Sequence, residues 1–159
     1  MRLSAQEEYG LRCLLQIART GPGGSMTIPE IARAEGLSHH NVAKLTRVLR
    51  RGGLVKSRRG QAGGYELARP AQEILIGDAL GALGGRMFEP AFCERFTGVQ
   101  SLCTHSVNCS IRSLWKIVQS AVDEALGGVT LADLIASEQA ATVRISSRVP
   151  VRLRRSVRA

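Results

Sequence analysis

Cys93, Cys103 and Cys109 fall within seventeen residues in the spacing C-x9-C-x5-C, and they are three of the four cysteines in the chain. Thiolates are the soft donors that hold iron–sulfur clusters and zinc, and as free groups they do redox chemistry. Structural zinc sites usually bring close C-x2-C pairs, and this sequence has none. An iron–sulfur cluster or free redox thiols suit the spacing better. The fourth cysteine, Cys13, sits among Leu11, Leu14 and Leu15 and reads as a small buried hydrophobe.

A second set of residues points to a polyanion. Between Gly36 and Tyr65 there is no Asp or Glu, and positions 44–59 carry seven positive residues: Lys44, Arg47, Arg50, Arg51, Lys56, Arg58 and Arg59. Charge of one sign at that density repels itself unless a polyanion compensates it, and double-stranded DNA does so. Residues at the N-terminal end of a groove-reading helix meet base edges, so Ser38, His39, His40, Asn41 and Lys44 are the candidates for direct readout. Arg47, Arg51, Arg58 and Arg59 are placed to reach phosphates, or the minor groove from a loop tip.

The elements that must position these residues are legible from caps and periodicity. Ser4 with Glu7 forms a capping box for a helix to about Thr20, with Leu11, Leu14, Leu15 and Ala18 on one face. Gly21-Pro22-Gly23-Gly24 breaks it. Thr27 with Glu30 opens a second helix that Gly36 ends, and Ser38 caps a third from about His39 to Arg51. A short helix, a glycine turn and a second helix make a helix-turn-helix. Leu54–Ser57 and Tyr65–Ala68 read as two strands around a glycine-rich tip, which is the wing of a winged helix.

Beyond Pro70 a helix is expected from about Ile76 to Leu83, and residues 86–109 lack clear periodicity. Ser110–Leu126 is a longer helix with Ile111, Leu114, Trp115, Val118, Ala121, Val122 and Ala125 in an apolar stripe, and Thr130 with Asp133 opens a short last helix. The fold class is mainly α, a winged helix-turn-helix with a small β-hairpin wing and a long C-terminal helix. Residues 1–70 form the DNA-binding region, 71–138 the cysteine-bearing loop and long helix, and 139–159 a flexible basic tail.

The formal charge of +9 is concentrated. Six arginines and no acids lie between Thr142 and Ala159, whereas all 13 acids fall earlier in the chain. Aromatics at 4% are too few for single-strand binding by base stacking. No apolar run approaches the ~18–20 residues that span a bilayer, so no membrane role is expected. The chain opens directly into an amphipathic helix without a secretory hydrophobic region, which makes the cytoplasm its expected location and a disulfide framework the weaker explanation of its cysteines. No nucleotide-binding glycine loop, paired-His metal motif or Cys–His–Asp order suggests an enzyme.

Met1-Arg2-Leu3-Ser4, Tyr9-Gly10-Leu11-Arg12, Ile31-Ala32, Gly52-Gly53-Leu54-Val55, Arg59-Gly60, Gly63-Gly64-Tyr65 and the downstream cysteines together resemble the IscR/NsrR/RirA-type regulators over roughly residues 1–138. These are bacterial winged-helix transcription factors, many of which bind an iron–sulfur cluster. The resemblance implies a homodimer held largely by the helix at 110–126, presenting two third helices to a pseudo-palindromic operator. It also implies a 2Fe–2S or 4Fe–4S cluster on Cys93, Cys103 and Cys109. The x5 interval matches the family, and the x9 interval is longer than its commonest form.

Relatives with a 2Fe–2S cluster often place a His three residues after the last Cys, where this chain has Arg112. Others use an acid near the start of the first helix, and Glu8 matches that position. Glu8 is therefore the candidate fourth ligand, with His105 second and Glu7 behind it, although an acid in a first helical turn also simply favours the helix dipole. The expected function is a transcriptional regulator, a repressor, whose operator binding is controlled by a cluster sensing iron, nitric oxide or redox state. The alternative is a cluster-free DNA-binding protein, constitutive or under thiol-redox control.

Overall fold

A computed structural model describes residues 4–60, 63–86, 88, 92–94, 103 and 108–149. Three helices come first: α1 (Ala5–Arg19), α2 (Ile28–Glu35) and α3 (His39–Arg51). Each starts where a side-chain acceptor meets the free N–H groups of the first turn. Ser4 and Glu7 form a reciprocal capping box on α1, Thr27 and Glu30 form one on α2, and Ser38 accepts from the Asn41 amide to cap α3. Gly36 ends α2 in the left-handed conformation, at φ +65°, which a residue with a Cβ adopts only with strain.

A hairpin follows, β1 (Val55–Arg58) and β2 (Gly64–Leu67), antiparallel with Val55 opposite Leu67 and Lys56 opposite Glu66. The loop between α1 and α2 adds a rung to it, because Met26 and Tyr65 exchange backbone hydrogen bonds of 3.0 and 2.8 Å. That close approach needs Gly64: a Cβ there would lie 2.5 Å from the Met26 carbonyl oxygen.

The chain then forms a 3-10 turn (Ala71–Glu73), α4 (Ile76–Gly84), α5 (Ser110–Leu126), α6 (Leu131–Leu134) and α7 (Glu138–Arg148). Segments 74–76 and 129–131 are joined by Ile76 N–H to Val129 (2.9 Å) and Leu131 N–H to Ile74 (2.8 Å). The chain after α5 thus returns to the body formed by the first helices.

The core is continuous across the winged helix and the segments after it. Leu14 and Ile17 of α1, Ile31 of α2, Val42, Leu45 and Leu49 of α3, Leu54, Ile74, Leu83 and Leu131 are all at most 2% exposed. Each such side chain contributes about 1.5–3 kcal/mol by leaving water. No gap in the core falls at residue 70, because Ile74, Ala79 and Leu83 pack in the same cluster as Leu14. Gly10 lets α1 approach α4, since a Cβ there would run into the Leu83 side chain.

The expectation of a flexible tail from 139 needs correction, because 138–148 is the helix α7. Ser137 caps it, and Arg148 at its far end pairs with Asp133 of α6 at 2.8 Å. That carboxylate, only 6% exposed, is also the capping-box acid of Thr130. An acid able to accept from both Thr130 and Arg148 gives the helix a fixed landing point. Residues 150–159, with Arg152, Arg154, Arg155 and Arg158, lie outside the described set.

Candidate nucleic-acid interface and cysteine site

α3 buries one face and exposes the other. Val42, Leu45, Thr46 and Leu49 are inside, and the Thr46 hydroxyl is satisfied by donating to the Val42 carbonyl at 2.9 Å. His39, His40, Lys44, Arg47 and Arg51 are exposed, and Asn41 is half-buried. Positions 40, 44, 47 and 51 recur at helical spacing, so they form one polar stripe opposite the core. Among the described residues no ion pair involves Lys44, Arg47, Arg51 or Arg59. Ser38 is committed in part, because its Oγ accepts from the Asn41 amide at 3.2 Å.

The wing treats its two arginines differently. Arg59 is exposed at the tip. Arg58 donates to the Gly23 carbonyl at 2.6 Å and lies 3.7 Å from Glu66, which also pairs with Lys56 at 3.3 Å. Arg58 therefore ties the hairpin to the loop between α1 and α2. Glu66 stands one residue past the acid-free span, so the sequence reading of that span missed its local counter-charge.

The three cysteines of the C-terminal half are all half-buried. Cys109 is the N-cap of α5, and its sulfur accepts from the Arg112 amide at 3.3 Å. Cys93 follows Phe92, whose ring lies 6.3 Å from that of Trp115 on α5. Cys13 is fully buried, and burial, reinforced by the Glu35 carboxylate, pushes its thiol up to about 11.

Of the candidate fourth ligands, Glu8 is exposed on α1 and pairs with Arg12 at 2.9 Å, while Arg12 lies over the Tyr9 ring. Glu7 is occupied by the capping box, accepting from the Ser4 amide and hydroxyl at 2.7 and 2.6 Å. His105 lies outside the described residues. Three thiols are the right donors for an iron–sulfur group. Among the described residues of this one chain, however, no three His, Cys, Asp or Glu side chains gather as a metal site.

α5 carries an apolar face that the described residues leave open: Ile111 is 55% exposed, Leu114 53% and Ile117 67%. Trp115, at 37%, borders it. A row of large apolar side chains on one helix face is the kind of patch that marks an interaction surface. Sequence periodicity located most of this stripe but missed Ile117. It also missed Gln119, buried on the same helix and bonded to the Phe88 amide; the only available signal was a polar residue interrupting an apolar pattern.

Comparison with known proteins agrees with this architecture. The family model for Rrf2, described as an iron-dependent transcriptional regulator, matches residues 3–137. The protein rrf2 of Nitratidesulfovibrio vulgaris is 36% identical over 135 residues, covering 85% of this chain and 87% of that protein. Two solved structures superpose with a TM-score of 0.65 at 31% identity over 85% of this chain: CymR (YrzC), the global cysteine regulator of B. subtilis, and IscR of T. potens. They are covered to 96% and 86% of their own lengths. With an exposed basic helix, a wing, and these matches over most of its length, the chain belongs to the Rrf2 family of DNA-binding transcriptional regulators.

Proposed function

We propose that this regulator is a cytoplasmic homodimer, acting as a repressor on a pseudo-palindromic operator, with binding controlled by an iron–sulfur cluster on Cys93, Cys103 and Cys109. The observation that carries the reading is Cys109 capping α5, the helix whose apolar face is exposed. A change at the thiols and the geometry of a dimer then act on one element. A symmetric dimer built on α5 sets the separation of two α3 helices, which must match two half-sites about one DNA turn, roughly 34–36 Å, apart.

The bound cluster supplies redox and nitric-oxide chemistry and a reversible cross-link between its ligands. Glu8, donated across the dimer, is the fourth ligand, with His105 the alternative. Glu8 is available at small cost: its pairing with Arg12 is half-exposed on both sides, and such pairs contribute about 0–1 kcal/mol. The family's description as iron-dependent and the likeness to IscR support the cluster. His39, His40, Asn41 and Lys44 read bases in this account, with Ser38 fixing the start of α3, and Arg47, Arg51 and Arg59 hold phosphates.

A second reading is favoured by the likeness to CymR. In it the thiols act without a metal. Protein purified without oxygen separates the two. Brown protein with matched iron and sulfide, bleached by Cys103→Ala, supports the cluster. Colourless protein without iron, even after reconstitution, rules the cluster out and leaves a cluster-free DNA-binding protein, constitutive or under thiol control.

A further inference from the structure

The stretch before Cys93 is fastened to α5 by a set of contacts that neither the DNA interface nor the thiol chemistry requires. Gln119 is 8% exposed in the middle of that helix. Its Oε1 accepts from the Phe88 backbone N–H at 3.0 Å, and its Nε2 donates to Asp123 Oδ1 at 2.8 Å. The other Asp123 oxygen pairs with Arg86. Phe88 lies 5.3 Å from Phe92, and Phe92 lies 6.3 Å from Trp115, ring centre to ring centre.

Residues 115, 119 and 123 are four apart and share one stripe of the helix. The stripe therefore grips the incoming chain at 86, 88 and 92. Cys93 is the next residue, and Cys109 caps the same helix six residues before Trp115, about 9 Å along the axis at 1.5 Å per residue. Two of the three thiols are thus referred to a single rigid element.

We propose that Gln119 and Asp123 are positioning residues of the thiol site. With Arg86 they clasp residues 86 and 88 onto α5, and the tilted ring contacts Phe88–Phe92 and Phe92–Trp115 extend that anchorage to Cys93. An aliphatic residue at 119 would pack as well but would select no register, whereas a buried amide must meet its partners in one arrangement. Trp115 also borders the open apolar face, so a displacement of Cys93 is felt where a second copy docks. The inference rests on the reading that the thiols govern DNA binding.

The test alkylates the full-length chain, reduced and metal-free, with iodoacetamide and follows Cys93 and Cys109 separately by mass spectrometry. Cys109 sits on α5 itself and serves as the internal reference. Gln119→Ala is expected to raise the ratio of the Cys93 rate to the Cys109 rate about fivefold or more, because local opening exposes only the clasped segment. The swapped pair, Gln119→Glu with Asp123→Asn, re-forms the donors and acceptors at the same net charge and is expected to return the ratio to within about twofold of the original.

General loosening of the fold raises both rates together, so a purely structural Gln119 leaves the ratio unchanged, and that result overturns the proposal. A ratio as high in the swapped pair as in the alanine variant overturns it too. Should the ratio respond as expected while alkylation leaves wild-type operator affinity untouched, the positioning stands and the regulatory reading falls.

Discussion

The guanidinium of Arg58 donates to the backbone carbonyl of Gly23, thirty-five residues earlier, at 2.6 Å. Together with the Met26–Tyr65 hydrogen bonds it fixes the wing to the loop between α1 and α2. The neighbouring Arg59 has no such tie among the described residues. Two adjacent arginines of like sequence context therefore have different work, one holding the wing and one presented to solvent at its tip.

Their substitutions separate these roles. Arg59→Ala is expected to weaken operator binding and flatten the slope of log K against log salt by about one phosphate contact. Arg58→Lys keeps the charge but loses the guanidinium nitrogen that reaches both Gly23 and Glu66; binding is expected to fall about threefold to tenfold with the slope unchanged. Fluorescence anisotropy at several salt concentrations reads both. A flattened slope for Arg58→Lys would place that residue on a phosphate instead.

Asp133 gives the pH dependence of the C-terminal half. Burial opposes its charge, but the Thr130 amide and hydroxyl and the Arg148 guanidinium prevail and hold its carboxyl below the ordinary aspartate range. A folded value below the unfolded one contributes stability above about pH 4, and that contribution is lost as pH falls through the lowered folded value. Asp133→Asn is expected to cost about 1–2 kcal/mol near neutral pH, and the deficit should shrink on acidification. Urea midpoints at about pH 6 and about pH 3 check the sign.

Thiol reactivity should sort the four cysteines. Cys13 is fully buried with its thiol raised to about 11, so at about pH 8 it carries almost no thiolate and stays unmodified in the folded chain. Cys93, Cys103 and Cys109 are half-buried and should alkylate. Intact-mass analysis of the metal-free protein should show three adducts, and a fourth only with denaturant. Early modification at Cys13 would contradict its place in the core.

Ile117 is 67% exposed on the open face of α5. If the proposed dimer is built on α5, Ile117→Glu puts a charge where the partner helix buries apolar surface. Sedimentation should then show monomer at concentrations where the wild type is dimeric, with operator affinity lowered about tenfold or more, while thermal stability of the chain is kept. An unchanged dimer would move the interface off α5.

Much of this was legible in the sequence because the signals are local. The boxes Ser4/Glu7, Thr27/Glu30 and Thr130/Asp133 name their own partners three residues away, and all three form as read. The turn at Gly36 and the start of α3 at Ser38 followed from the same logic. What escaped is long-range. Nothing near Arg58 announces Gly23, and nothing near Phe88 announces Gln119. α7 was hidden by its arginines, which suggest a solvated tail until Asp133 is seen to receive Arg148.

Control of DNA binding by the thiol site is read most directly by one titration. A labelled duplex, selected from random-sequence DNA by the protein itself, is titrated with an anaerobic preparation before and after the site is emptied of metal and its thiols capped. Affinity is expected to change by at least about tenfold, or 1.4 kcal/mol, with the Cys103→Ala variant fixed in one of the two states. Equal affinity in both states, with Cys103→Ala indistinguishable from the wild type, would contradict it and leave a DNA-binding regulator that its cysteines do not control.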